Sequence, residues 1–164
     1  MFTLGLTGGI ATGKTTATDF FKAKGIDVID ADEVSRSLQQ KGQQGYKKIV
    51  EKFGSEVLDA NEEIDRAKLR EVAFSKEANR ATLEAIMHPM IRAQIAHLFG
   101  QVTSKWAIYS APIWSGKNQF SRNLIIDAPK AIQIERISKR DKNDKDLAEK
   151  IIDQQMGYKE RISF

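Results

Sequence analysis

The chain has 164 residues, which at the usual roughly 100–200 residues per domain makes one domain, and its 41% hydrophobic and 29% charged content describes a globular protein rather than a collagen, a disordered chain or a membrane span. It contains no cysteine, which excludes disulfides, thiolate metal sites and cysteine nucleophiles, and its two histidines are too few for a multi-histidine metal centre. The net charge of +4 suits anionic small molecules and is too small to argue for nucleic acid.

The first segment, Met1–Thr7, runs straight into glycines, with no basic region before it and no cleavage site. No stretch of 18 apolar residues follows. A cytoplasmic protein without membrane or obligate protein partner is the expectation. Phe2–Thr7 reads as a buried strand, and a helix is predicted from about Lys14 to Lys24, closed by Gly25 in the position after the C-cap. Ile26–Ile29 is a second strand. Helical patterns then dominate from Ala31 to Phe99, with breaks expected around Gly42, at Gly54–Asn61 and near Ser75. In the last of these helices Leu83, Ile86, Met87, Met90, Ile91, Ile95 and Leu98 recur at a spacing of three to four. Trp106–Tyr109 and Asn123–Ile126 are strands three and four. A helix over about Lys130–Arg140, a charged stretch Asp141–Asp146 and a last helix to about Met156 complete the pattern. Strands separated by helices predict an α/β fold with a parallel sheet flanked by helices.

The sharpest motif is Gly8-Gly9-Ile10-Ala11-Thr12-Gly13-Lys14-Thr15, which satisfies G-x-x-x-x-G-K-[ST] between a predicted strand and a predicted helix. Glycines there let the backbone curl until successive N–H groups face phosphate oxygens, and the following helix adds its positive N-terminal end. The expected ATP-binding set is Gly8, Gly9, Ala11, Thr12, Gly13, Lys14, Thr15 and Thr16, with Lys14 reaching the β- and γ-phosphates and Thr15 coordinating Mg²⁺. A glycine-rich turn could match by accident, but the strand before it and the helix after it supply the required context. The guanine-specifying N-K-x-D pattern is absent, since Asn143-Asp144-Lys145-Asp146 has the wrong order. A small phosphotransferase is the economical reading.

Strand two ends in Asp30-Ala31-Asp32, where an α/β sheet faces its ligand. Asp30 with Glu33 three residues on resembles a capping box, so Asp30 is assigned to capping. Asp32 is assigned to chemistry, as a carboxylate that accepts the proton of an attacking hydroxyl. His88-Pro89-Met90-Ile91-Arg92 interrupts a helical pattern, and Pro89 is expected to kink or restart the helix. From the residues alone, a surface helix with a solvated arginine accounts for His88 and Arg92 better than a substrate-binding cation pair does. Gln133, Arg136 and Arg140 share one helix face, either as a solvated face or as arginines that close over the triphosphate.

These pieces, in this order, resemble the dephospho-coenzyme A kinases, a family of P-loop kinases. The resemblance runs through Gly5–Thr16, Val28-Ile29-Asp30-Ala31-Asp32 with Arg36, Phe53-Gly54, Leu58-Asp59, Asp65-Arg66 with Leu69-Arg70, and Ile86–Arg92. It continues through Pro112, Gln133–Arg136, Arg140-Asp141, Gln155 and Arg161. The resemblance implies a P-loop kinase fold with a helical acceptor-binding region and a small lid. It implies Mg²⁺-dependent transfer of the ATP γ-phosphoryl group to the ribose 3′-hydroxyl of dephospho-CoA, with Asp32, Lys14 and Arg140 as catalytic residues. Arg136 and Arg140 join the ATP site, and Asp32, Arg36, His88 and Arg92 become acceptor-binding. Within residues 1–164 the implied division is a core of 1–30 and 100–135, an acceptor region of about 31–99 and a lid of about 136–150.

Two departures stand out. Where the family has an acid and then Pro-Leu-Leu-Phe-Glu, this chain reads Tyr109-Ser110-Ala111-Pro112-Ile113-Trp114-Ser115, so Ser110 replaces the acid and the closing glutamate is absent. The following segment is also short, and the family pattern continues past Phe164 with another strand and helix, which makes a missing C-terminal strand and helix the expectation. Another small-molecule P-loop kinase and a non-catalytic nucleotide- or CoA-binding homologue stay open beside the kinase reading.

Overall fold

A computed structural model describes residues 1–112, 120–141 and 144–163. Residues 113–115 of the departing segment, 142–143 of the predicted lid and Phe164 lie outside the described residues. The chain divides into two compact units, one formed by residues 1–30 and 102–164 and the other by 31–101.

The first unit is built on four parallel strands, β1 (Phe2–Gly8), β2 (Asp27–Asp30), β3 (Trp106–Ser110) and β4 (Arg122–Ile126), in the spatial order β2-β3-β1-β4. Apolar runs broken by glycine and flanked by helices form such buried strands. Leu6, Ala107 and Ile108 are fully buried. Leu6 pairs in register with Ser110 and Gly8 with Ile126, while Asp30 pairs with Ser110, so the carboxyl ends of all four strands align at one edge of the sheet. Because β1 lies between β3 and β4 while the chain leaves it towards β2, this edge holds the crevice where α/β sheets take their ligands. Helix α1 (Lys14–Ala23) ends as expected: Gly25 has φ 76° and its N–H bonds the Lys22 carbonyl at 2.9 Å. Asp27 ties β2 to the approach of β3, its carboxylate accepting from the N–H groups of Thr103 (2.8 Å) and Ser104 (2.9 Å). Those bonds hold the Asp27 carboxyl below its ordinary pKa, the Ser104 N–H contributing most.

The second unit packs α2 (Ala31–Leu38), α3 (Gln44–Phe53), a short 3-10 turn (Ser55–Val57), α4 (Arg66–Ser75) and α5 (Glu77–Gly100) around Ile49, Phe53, Val57, Leu69 and Met87. Leu83, Ile86, Met90 and Ile91 pack on this cluster, which is what their spacing predicts. The predicted breaks near Gly42, Gly54–Asn61 and Ser75 all fall between helices. Asp65 caps α4 by accepting from the N–H groups of Ala67 (2.8 Å) and Lys68 (3.1 Å).

Of the two outcomes expected at Pro89, a restart of the helix does not occur, because α5 runs unbroken through it. Proline removes the bond that would reach the Ala85 carbonyl, but both residues are exposed, so water can satisfy that carbonyl while the apolar face stays packed.

The C-terminal part of the first unit carries α6 (Lys130–Asp141), α7 (Lys145–Asp153) and a single turn, α8 (Tyr158–Arg161). The last helix thus stops three residues short of the predicted Met156, and the chain turns at 154–157 to present Gln155 and Arg161 to the loop after β1.

Candidate active site

The loop between β1 and α1 begins at Gly8, where no side chain fits. A Cβ there would collide with the Ile126 carbonyl oxygen of β4 and lie 2.7 Å from the Thr12 hydroxyl. Gly13 has φ 108°, a left-handed conformation that favours glycine, and stands at the N-cap of α1. Ala11 is also left-handed, with φ 57°, an uncommon state for a residue with a side chain. Thr12 is buried, and its hydroxyl bonds back to the Gly9 carbonyl at 2.9 Å, so this side chain shapes the loop from within. Lys14 opens α1, followed by the exposed Thr15 and Thr16.

The strained turn is braced by side chains from the far end of the unit. Gln155 Oε1 accepts from the Ile10 N–H at 2.8 Å, and Gln133 Nε2 donates to the Ile10 carbonyl at 2.7 Å. Arg136 Nη1 donates to the Ala11 carbonyl at 3.0 Å. A Cβ on Gly9 would lie 2.9 Å from Arg161 Nη1 and 3.1 Å from Gln133 Nε2, so these groups rest directly against the loop. Of the expected ATP-site residues, then, the Gly8–Thr16 loop and Arg136 are brought together. Arg140 lies one helical turn beyond Arg136 on α6, exposed.

In the helical unit, Asp32 is exposed in the first turn of α2, and Arg36 Nε returns to its carbonyl at 3.0 Å. His88 and Arg92 are both exposed and share a face of α5 by their spacing.

Among the described residues no group of three or more His, Asp or Glu side chains gathers that could hold a metal ion. Mg²⁺ rarely uses such an all-protein cage and is instead held by one or two protein groups together with phosphates and water. Two hydroxyls suit that role. Thr15 stands on the first turn of α1, and Ser110 ends β3 with 1% exposure and an Oγ that finds no hydrogen-bond partner among the described residues. A buried hydroxyl without a partner is destabilising, so an oxygen-seeking guest fits its chemistry.

No expected site set includes Gln133, Gln155 or Arg161. All three match the family pattern, but their contacts to the loop cross 123 positions of sequence for Gln133, 145 for Gln155 and 152 for Arg161 with Gly9, and no local pattern announces them.

The sequence model of the family described as Dephospho-CoA kinase matches residues 2–164. A dephospho-CoA kinase from Acinetobacter baylyi is 43% identical over 98% of this chain and 84% of its own length. Another, from Mannheimia succiniciproducens, is 37% identical over 99% of this chain and 78% of its own length. The crystal structure of TT1252 from Thermus thermophilus shares the fold with a TM-score of 0.83, covering 99% of this chain and 84% of that one at 19% identity. The dephospho-CoA kinase from Campylobacter jejuni matches with a TM-score of 0.64 at 26% identity, covering 98% and 83% of the two chains.

Proposed function

Because this chain belongs to the dephospho-CoA kinase family, we propose that it transfers the γ-phosphoryl group of ATP to the ribose 3′-hydroxyl of dephospho-CoA, giving coenzyme A and ADP. In that reaction the 3′-oxygen bonds the γ-phosphorus as the bond to the β,γ-bridging oxygen breaks. The hydroxyl proton passes to the carboxylate of Asp32. Backbone N–H groups of the Gly8–Thr15 loop other than that of Ile10, which Gln155 holds, and the ammonium of Lys14 hold the phosphates, and Arg140 stabilises charge that develops during transfer. Arg136 contributes by holding the Ala11 carbonyl, and Arg36, His88 and Arg92 supply cationic contacts to the acceptor. Thr15 and Ser110 are the residues to hold Mg²⁺, which when bound neutralises phosphate charge. Residues 136–150 form the lid of this scheme.

The observation that carries the proposal is the braced glycine loop at the carboxyl edge of a parallel sheet, leading directly into α1. The test is ADP release that depends on dephospho-CoA. Asp32→Asn is expected to reduce turnover by about 10²–10⁴-fold while ADP still binds. Full activity in that variant would remove Asp32 from the chemistry, and a wild-type chain without acceptor-dependent release would overturn the kinase reading. A second reading, a nucleotide-binding homologue without transfer, draws on Ser110 in place of a carboxylate, and tight ATP binding without any ADP release would select it.

A further inference from the structure

Arg161 is a buried cation that no carboxylate among the described residues compensates, and it rests on the glycine loop after β1. It is 7% exposed, and its hydrogen bond runs from Nη2 to the Met156 carbonyl at 2.6 Å. Among the described residues no carboxylate comes within 4.0 Å of it. Its neighbour Lys130 shows the contrast. Both line one cavity of about 390 Å³, yet Lys130 is matched by Glu149 at 2.7 Å and Asp153 at 2.8 Å. Asp127, the other carboxylate on that cavity, does not reach Arg161. Burying an unmatched guanidinium is unfavourable unless an anion compensates it. Its placement says where the anion belongs: Nη1 would be 2.9 Å from a Cβ on Gly9, the second residue of the loop assigned above to phosphate binding.

We propose that Arg161 is a positioning residue for the nucleotide: it sets the first turn of the loop through Gly9, and its uncompensated charge is matched when the polyphosphate of the nucleotide occupies that loop. The unliganded protein therefore carries an electrostatic penalty that binding relieves. This is a different role from that of a structural arginine, whose removal weakens the empty fold. The proposal rests on the reading of Gly8–Thr15 as a phosphate site.

The experiment uses the full chain, with Arg161→Gln and Arg161→Lys, in buffer containing a chelator so that no divalent ion contributes. Calorimetry measures the affinity for ADP and for inorganic tripolyphosphate, and thermal denaturation measures the unliganded stability. R161Q is expected to weaken both ligands about tenfold, as loss of a charge-assisted interaction does, with an unliganded melting temperature equal to or above wild type. R161K, which keeps the charge, is expected to bind within about threefold of wild type. A lower unliganded melting temperature in R161Q with unchanged tripolyphosphate affinity makes the residue structural and overturns the proposal. Loss of ADP affinity without loss of tripolyphosphate affinity overturns it too, because the residue then serves the nucleoside end. Should R161Q fail to fold, tenfold-weakened tripolyphosphate binding in R161K is the overturning result. A wild-type chain that binds neither ligand brings down the phosphate-loop reading itself, whereas wild-type binding with R161Q unchanged removes only the role of Arg161.

Discussion

Gly8 and Ser110 are neighbours of the same kind of constraint with opposite consequences. At Gly8 the obstacle to a side chain is the Ile126 carbonyl, a backbone atom held in the β1–β4 ladder. Gly8→Ala is therefore expected to destabilise the protein by about 1–3 kcal/mol and to weaken ADP binding, as read by thermal denaturation and calorimetry. At Ser110 the buried hydroxyl finds no partner among the described residues. Ser110→Ala is expected to raise the stability of the unliganded protein by about 1 kcal/mol in denaturant titration, because it removes an unsatisfied polar group. A decrease instead would mean that the hydroxyl has a partner in solution. Gly8 was legible in the sequence as a position, since the motif places it, while the Ile126 carbonyl that excludes a side chain there came only with the fold. Arg161 was visible as a letter in a family pattern, but its burial and the lack of a compensating carboxylate among the described residues depend on which groups surround it.

Beside the β2–β3 ladder, one carboxylate ties the start of β2 to the residues that lead into β3. Asp27 accepts from the N–H groups of Ser104 and Thr103, which lowers its folded pKa below the ordinary 3.8. A lowered carboxyl pKa contributes stability that is fully present above the unfolded value and is lost as pH falls through the folded one. Asp27→Asn is thus expected to flatten the acid side of the stability profile, with the difference from wild type shrinking between about pH 5 and pH 3, measured by melting temperature. Helix α5 teaches a related point about prediction. The string around Pro89 signals a break because proline lacks an N–H, and that local signal is correct chemistry. The helix continues because its buried face, with Met87 in the core, stays packed while the affected carbonyl faces water. Tertiary packing overrode a local preference there, whereas at Gly25 nothing opposed the local signal.

Each compact unit has its own core, and that separation has a measurable consequence. Ile49 is fully buried among Phe53, Val57, Leu69 and Met87 in the helical unit. Ile49→Ala is expected to destabilise that unit by about 2–5 kcal/mol, seen as a lower melting temperature. Because the glycine loop and its braces lie wholly in the other unit, ADP affinity measured below the transition is expected to stay within about twofold of wild type. A large loss of ADP affinity in I49A would show that the nucleotide site depends on the helical core.

Strand and helix placement, the glycine loop between β1 and α1, the closing Gly25 of α1 and the helical core of α5 were readable from the chain alone, because each rests on interactions between residues a few positions apart. Periodicity and glycine chemistry are local, and local signals survive in a linear reading. The strand order β2-β3-β1-β4, the continuity of α5, the brace of Gln133, Gln155 and Arg161 on the loop, and the isolation of the Ser110 hydroxyl came only with the fold. Most of these depend on contacts across separations of up to 152 positions, that of Arg161 and Gly9, and the α5 case on the packing of its buried face, so their energies are set by the way the layers stack rather than by any neighbouring residue.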